Sequence, residues 1–414
     1  MYKYCALLFL FINTPNLFAQ SSDEIQELRE MLAEQSAMID ALQEQLEETR
    51  NRLDSLTEDT STNTQAIEAT SDFLVNVANN SDDANRANIG GYGEFHITKR
   101  NGEGDYDYTQ WDAHRFVTYL SYDFSDNVSF HSEFEVEHAS TDGLASGKDG
   151  YARVEQAYIS WLEDGYLISG GLLLPPVGII NRTHEPSTFN TVERNPVEKY
   201  IIPTTWTEIG VSWETYFENG WSMNTMIHSG LRIDTEGSNL LNIRSGRQYG
   251  SEAKGSNPAF TSSWTFSGYP GVSLTATYQY QSDLSAGALN DPLDAHLIEG
   301  HMTYNRDRLG LRALYASWLI GEHDEVDGYE DKQYGWFIEP SYELTDKITL
   351  YTRFDRVFAQ RQSDRFDSFG LGIKLVPVQG VSLKLGVSDL TYRHEAFQSR
   401  DGVILDLGLG YEFN

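Results

Sequence analysis

Val403-Ile404-Leu405-Asp406-Leu407-Gly408-Leu409-Gly410-Tyr411-Glu412-Phe413-Asn414 alternates large apolar residues with small or charged ones. In an extended chain Val403, Leu405, Leu407, Leu409, Tyr411 and Phe413 share one face. Asp406, Gly408, Gly410 and Glu412 share the other, with Ile404 the one exception. Successive strand side chains point to opposite faces, so this is a strand with one oily and one wet surface. Lipid outside and water inside impose that two-residue period on a membrane-spanning β-barrel.

The same period recurs backwards to about residue 89. Sixteen candidate strands follow: 89–99, 110–124, 127–138, 151–162, 165–174, 205–217, 220–230, 257–267, 271–282, 294–305, 308–319, 332–344, 347–358, 367–376, 380–391 and 402–414. Their connections alternate in length. Ser125-Asp126, Asp164-Gly165, Asn219-Gly220, Tyr269-Pro270, Asp307, Thr345-Asp346 and Val378-Gln379 mark short turns. Between them lie longer, polar segments at 100–109, 139–150, 175–204, 231–256, 283–293, 320–331, 359–366 and 392–401. Outer-membrane barrels have short periplasmic turns and long external loops, and an even strand number leaves both ends of the barrel on the periplasmic side. The expected fold class is therefore all-β, a sixteen-stranded antiparallel transmembrane barrel over 89–414.

Upstream of the barrel the pattern is helical. Ile25, Leu32, Ile39, Leu46 and Leu53 are seven residues apart, and Leu28, Leu42 and Leu56 fill most of the second seam. This narrow stripe predicts a self-associating coiled coil over 21–77. Its 25–56 stretch would form a rod on the order of 48 Å long. The polar stretch 78–88 reads as a linker. At the start, Lys3, the apolar run Ala6–Ile12 and the small residue Ala19 predict a secretory signal peptide over 1–20. That run is too short for a membrane anchor, and Pro15 interrupts the segment. Its removal takes away Cys5, the only cysteine, which excludes disulfides and thiolate metal sites.

No later stretch reaches 18 uninterrupted apolar residues, so no transmembrane helix is expected. A barrel needs apolar side chains only at alternate positions, and 24 tyrosines suit its interfacial girdles. The net charge of −32 falls as +1 on 1–20, −12 on 21–89 and −21 on 90–414. Such a field does not favour binding to nucleic acid or anionic surfaces.

Strand parity assigns the inner face. Glu133, Glu135 and Glu137 share it with His131; Glu94 and His96, Glu208 and Glu214, Glu299 and His301, Glu339 and Glu343, Asp406 and Glu412, and Arg353 and Asp355 join them. Lys374 and Lys384 also face in, as do Arg115 and Arg312, although both faces of their strands are mixed. Arg or Lys on the lipid face at mid-bilayer costs about 2–4 kcal/mol, which enforces the parity. These charges either line a solute path or form an ordinary polar wall of cross-strand pairs. The three-carboxylate ladder needs cations nearby, and Arg115 and Arg153 on neighbouring strands are the candidates.

Residues 171–210 differ from the rest. Gly171-Leu172-Leu173-Leu174-Pro175-Pro176-Val177-Gly178-Ile179-Ile180-Asn181 is followed by His184-Glu185-Pro186, Val192-Glu193-Arg194-Asn195-Pro196-Val197-Glu198 and Ile201-Ile202-Pro203-Thr204-Thr205-Trp206. Its prolines forbid a central strand. Apolar side chains in a long external loop avoid free solvent, so the loop is expected to fold into the barrel as a constriction over 175–204. Arg182, His184, Glu185, Glu193, Arg194, Glu198 and Lys199 would border the narrowest point. The alternatives are a loop packed on its external neighbours or at a subunit interface.

These motifs, with Asp112-Ala113-His114-Arg115 and Glu133-Phe134-Glu135-Val136-Glu137-His138, resemble the phosphate-selective porin (O and P type) superfamily over about 89–414. The resemblance implies a trimeric outer-membrane channel with an inward-folded third loop; some relatives carry an N-terminal coiled coil. Selective phosphate channels of the family use rows of arginine and lysine. No such ladder maps here, so phosphate selectivity is not expected.

The sequence thus points to passive diffusion of small hydrophilic solutes or ions across the outer membrane of a Gram-negative cell, with lipid and sister subunits as partners and no cofactor. A second reading is a structural anchor for a periplasmic coiled-coil spacer. An enzyme is the least supported: His184, His323, His394 and Asp401 show no nucleophile motif or metal-ligand spacing, and the ten histidines look scattered.

Overall fold

The alternating segments form sixteen antiparallel strands in the computed structural model, which describes residues 86–140, 150–326 and 328–413. They are β1 Ala87–Asn101, β2 Tyr108–Asp123, β3 Val128–Glu137, β4 Ala152–Glu163, β5 Tyr166–Leu173, β6 Glu208–Tyr216, β7 Trp221–His228, β8 Ala259–Tyr269, β9 Val272–Gln281, β10 Ala295–Arg306, β11 Leu309–Ile320, β12 Lys332–Thr345, β13 Ile348–Phe358, β14 Arg365–Val378, β15 Val381–Tyr392 and β16 Gly402–Phe413. Each strand pairs with its sequence neighbours, and β16 pairs with β1 from Gly91↔Phe413 to Asn101↔Val403. The stretch 403–413 is therefore the strand that closes the barrel, leaving no free edge. The expected signal peptide, coiled coil and all but the end of the linker lie outside the described residues.

Strand positions agree with the sequence reading to within a few residues. The clearest difference is at β6, expected from 205 but starting at Glu208. Pro203 withholds a ladder donor, and Trp206 turns inward, fully buried, with its Nε1 donating to Glu208 Oε1 at 2.8 Å. The short turns are tight. Asp164 and Gly165 both adopt positive φ (48° and 83°), the backbone a two-residue hairpin turn requires to match strand twist.

The exterior is apolar along the strands. Leu274, Tyr278 and Tyr280 on β9, Leu383 and Leu385 on β15, and Val403, Leu405, Leu407 and Leu409 on β16 are all exposed. Trp161, Trp213, Trp221, Phe266 and Tyr269 gather near the short-turn end, as an interfacial aromatic girdle would. Inside, Thr261, Thr277, Gln279, Gln281 and Ser382 are buried polar residues, and several bond across strands, as Thr261 does with Gln279 (2.9 Å).

The interior also holds a hydrophobic core that parity did not predict. Leu297, Leu314, Trp318, Phe337 and Val357 face inward from β10–β13 and pack against Val177, Val197, Ile201, Ile202 and Trp206 of the β5–β6 connection. Two connections read as polar contribute as well: Leu231, Ile233, Leu241 and Ile243 from 229–258, and Leu284 and Leu293 from 282–294. Those segments carry their few apolar residues to one buried cluster, which corrects the purely polar reading.

Candidate functional site

The β5–β6 connection, residues 174–207 (hereafter the inward loop), lies inside the barrel. Pro175, Pro176, Pro186, Pro196 and Pro203 deny it strand pairing. Its one helical turn, α1, spans Val197–Tyr200. Side chains tie it together instead. Asn181 Oδ1 accepts from the Trp206 amide (2.8 Å) while Asn181 Nδ2 donates to the Pro175 carbonyl (3.0 Å), joining the two ends. The Glu198 carboxylate accepts from the Ile180 amide and from Asn195 Nδ2, both at 2.7 Å. Gly178, at φ +78°, passes beneath that carboxylate; a Cβ there would stand 2.3 Å from Glu198 Oε1.

One flank of the loop sits on β1–β4 through charge. His184 Nε2 lies 3.0 Å from Glu133 and 3.5 Å from Glu155, and Glu193 lies 3.0 Å from His96 Nδ1. Burial disfavours the His184 imidazolium, but Glu133 and Glu155 outweigh it and raise the pKa to about 10. Two β-bulges supply the extra inward groups. A register slip between Glu94 and Phe95 turns both His114 and Arg115 inward, and a slip between Glu133 and Phe134 does the same for Glu155 and Gln156. The first slip accounts for the mixed faces of β2. The carboxylate ladder has the predicted neighbours: Glu137 is in register with Arg115 and Glu135 with Arg153.

The other flank rests on β11–β16. Arg312 Nη2 donates to the Thr188 carbonyl (2.6 Å), Lys374 donates to the Ser187 carbonyl, and Lys384 Nζ stands 3.7 Å above the Phe189 ring. Arg353 Nη1 donates to Thr191 Oγ1 (2.8 Å), and Asn190 Nδ2 donates to Glu339 Oε1 (3.0 Å). On β16 the small inner-face residues are seats for the loop. A Cβ on Gly408 would meet Val192 at 3.0 Å, and one on Gly410 would meet Pro186 at 2.7 Å.

Space remains on both sides of the loop. A gap of about 190 Å³ separates 191–200 from β13–β16, bordered by Glu193, Lys199, Arg353 and Asp406. Toward the short-turn end a cavity of about 620 Å³ is bordered by Asp123, His131, Gln156, Arg182 and Glu214.

The charged residues expected to border water divide in two. Glu94, Arg115, Glu133, Glu135 and Lys384 on the wall, and His184, Arg194 and Glu198 in the loop, are buried beneath or within the seated loop. Their burial corrects the expectation that they border the open path: His184 on Glu133 and Lys384 on Phe189 join loop to wall, while Arg194 and Glu198 bond within the loop. Arg182 and Glu193 keep side-chain exposures of 48% and 45%. Glu137, Lys199, Arg312, Arg353 and Lys374 are half-buried and inward-facing. Glu155 escaped the sequence reading, yet its signal was there: Val154 and Ala157 both face out, three residues apart where parity demands two. The histidines are not all scattered either, because His96, His114, His138 and His184 gather on the β1–β4 flank.

No known family profile matches the chain. It is 41% identical over 142 residues to an uncharacterized protein of Aquifex aeolicus, a stretch that spans only about a third (32%) of that relative. Its structure is similar to the anion-selective porin from Comamonas acidovorans (TM-score 0.56, 12% identity, 79% of this chain and 99% of that one). It is also similar to the outer membrane channel DcaP of Acinetobacter baumannii (0.55, 13%, 79% and 97%) and to Salmonella typhi OmpF solved with daunomycin (0.54, 11%, 79% and 97%). At these identities the likeness is one of fold: the chain has the barrel fold of outer-membrane porins and channels.

Proposed function

We propose that this protein is an outer-membrane porin through which small hydrophilic solutes or ions diffuse passively, without selectivity for phosphate. In this reading it sits in lipid as a homotrimer, with its N-terminal coiled coil in the periplasm. The observation that carries the proposal is a closed barrel, apolar outside and polar inside, whose lumen is narrowed by a loop seated on both walls. Solutes pass through the gap between that loop and β13–β16. Three acidic groups, Glu193, Asp355 and Asp406, and three basic ones, Arg194, Lys199 and Arg353, border it. Arg194 is buried within the loop, and Arg353 is shared between Asp355 (3.0 Å) and Glu339 (3.6 Å), so the acidic side prevails slightly and selectivity is weakly cationic.

The basic residues support the absence of phosphate selectivity. Lys374 and Lys384 are cross-strand partners, and both, like Arg312, are engaged by the inward loop's carbonyls or by the Phe189 ring. A phosphate would have to displace the loop to reach them. The test is single-channel recording in planar bilayers across a salt gradient. Ohmic steps with a small cation-directed reversal potential are expected. A folded, membrane-inserted protein that passes no current overturns the porin reading; strong anion preference overturns the charge reading alone.

A further inference from the structure

Two imidazoles and a carboxylate from three separate segments meet beside the gap, which Glu193 borders. His96 comes from β1, His114 from the β2 bulge and Glu193 from the inward loop. Their donor atoms, His96 Nδ1, His114 Nε2 and Glu193 Oε1, lie within 4.8 Å of one another. His96 Nδ1 is 3.0 Å and His114 Nε2 4.0 Å from the same carboxylate oxygen, and the two rings stack with centroids 4.2 Å apart.

The far nitrogen of each ring is also held. His96 Nε2 is 2.9 Å from Glu94, and His114 Nδ1 is 2.8 Å from Asp112. A carboxylate behind each imidazole fixes the tautomer that leaves the near nitrogen free to bind a metal and raises its basicity, which is the usual support of a metal-ligating histidine. Two imidazoles and one carboxylate suit borderline divalent ions, and three protein donors leave a coordination position for water. Glu193 opens this set to the lumen, so an ion can arrive from solution.

One group competes. Arg115 Nη2 stands 2.8 Å from His114 Nε2. Its Nε and Glu94 Oε1 are both buried without hydrogen-bond partners among the described residues, 3.8 Å apart. A small swing of the guanidinium pairs them and releases the imidazole.

We propose that His96, His114 and Glu193 form a binding site for a divalent first-row transition-metal ion, facing the water of the lumen. The site rests on the geometry of the barrel and needs no conducting channel.

The test is zinc titration of the folded full-length protein in detergent by calorimetry, with cobalt absorption as a check on the ligand set. One zinc per chain is expected, weakened tenfold or more in Glu193→Gln and in His96→Gln, and by about 10- to 100-fold in Glu94→Gln, which removes the supporting carboxylate. His138→Gln should leave binding intact, although His138 Nδ1 also lies 2.9 Å from Asp112. Heat-modifiable gel mobility verifies that each variant is folded. Glu193 is a half-exposed loop residue, so its variant keeps the test valid if the buried ones fail to assemble. Absence of stoichiometric zinc binding by the wild type overturns the proposal. So does binding that survives Glu193→Gln but is lost in His138→Gln, which would place the ion on Asp112, His114 and His138 instead.

Discussion

At the scale of single residues, the seat of the inward loop depends on a few buried polar groups. Asn181 satisfies the Trp206 amide and the Pro175 carbonyl at once. Asn181→Ala leaves both unsatisfied, and a buried unmet group costs about 1–3 kcal/mol. The variant should lose that much in urea unfolding, and its inward loop should become the first site of protease cleavage. His184 adds a pH dependence. Its pKa rises from 6.5 to about 10 in the folded protein, so its ion pairs with Glu133 and Glu155 stabilise the seat fully below about pH 6.5. That contribution is lost as pH climbs through about 10. Proteolysis of the loop should therefore accelerate at alkaline pH in the wild type, and His184→Gln should make it fast and flat across the range. The sequence identified His184 as a notable loop residue, but nothing local to it revealed Glu155 as a partner. The two residues meet only because a bulge on β4 adds one inward position.

At the scale of elements, the strands were legible because lipid and water enforce a strict period of two. The bulges escaped because each breaks that period only once, within otherwise regular strands, and the pairing registers fix where the slip lies. The inner hydrophobic core was hidden for a related reason. Where inward residues meet a loop instead of water, as Leu297, Trp318 and Phe337 do, both faces of the strand are apolar and the alternation vanishes. The glycines of β16 were read as small wet-face residues, and their packing gives that smallness a purpose. Gly410→Val should force Pro186 off the wall. Overpacking of this kind costs about 1–3 kcal/mol, and relief comes from lifting the loop. The expected outcome is a larger unit conductance than wild type in planar bilayers, with barrel content by circular dichroism unchanged.

At the scale of the whole molecule, charge is arranged across the lumen rather than summed over the chain. Acidic residues crowd β1–β4, basic ones cluster on β11–β15, and the inward loop lies between them. The barrel region carries −21, yet the charges bordering the narrow point nearly balance. Neutralising one of them should move selectivity in the corresponding direction: Lys199→Gln should shift the reversal potential further toward cations and Glu193→Gln toward anions. The claim beneath all of this is that water fills a passage whose width the inward loop sets. Swelling of proteoliposomes in neutral sugars of graded size measures that width without reference to charge. The wild type should admit small sugars and exclude larger ones, and shortening the loop between Thr183 and Pro203 should raise the size limit. A wild type impermeable to every sugar, or a size limit unmoved by that deletion in a folded barrel, would contradict the account.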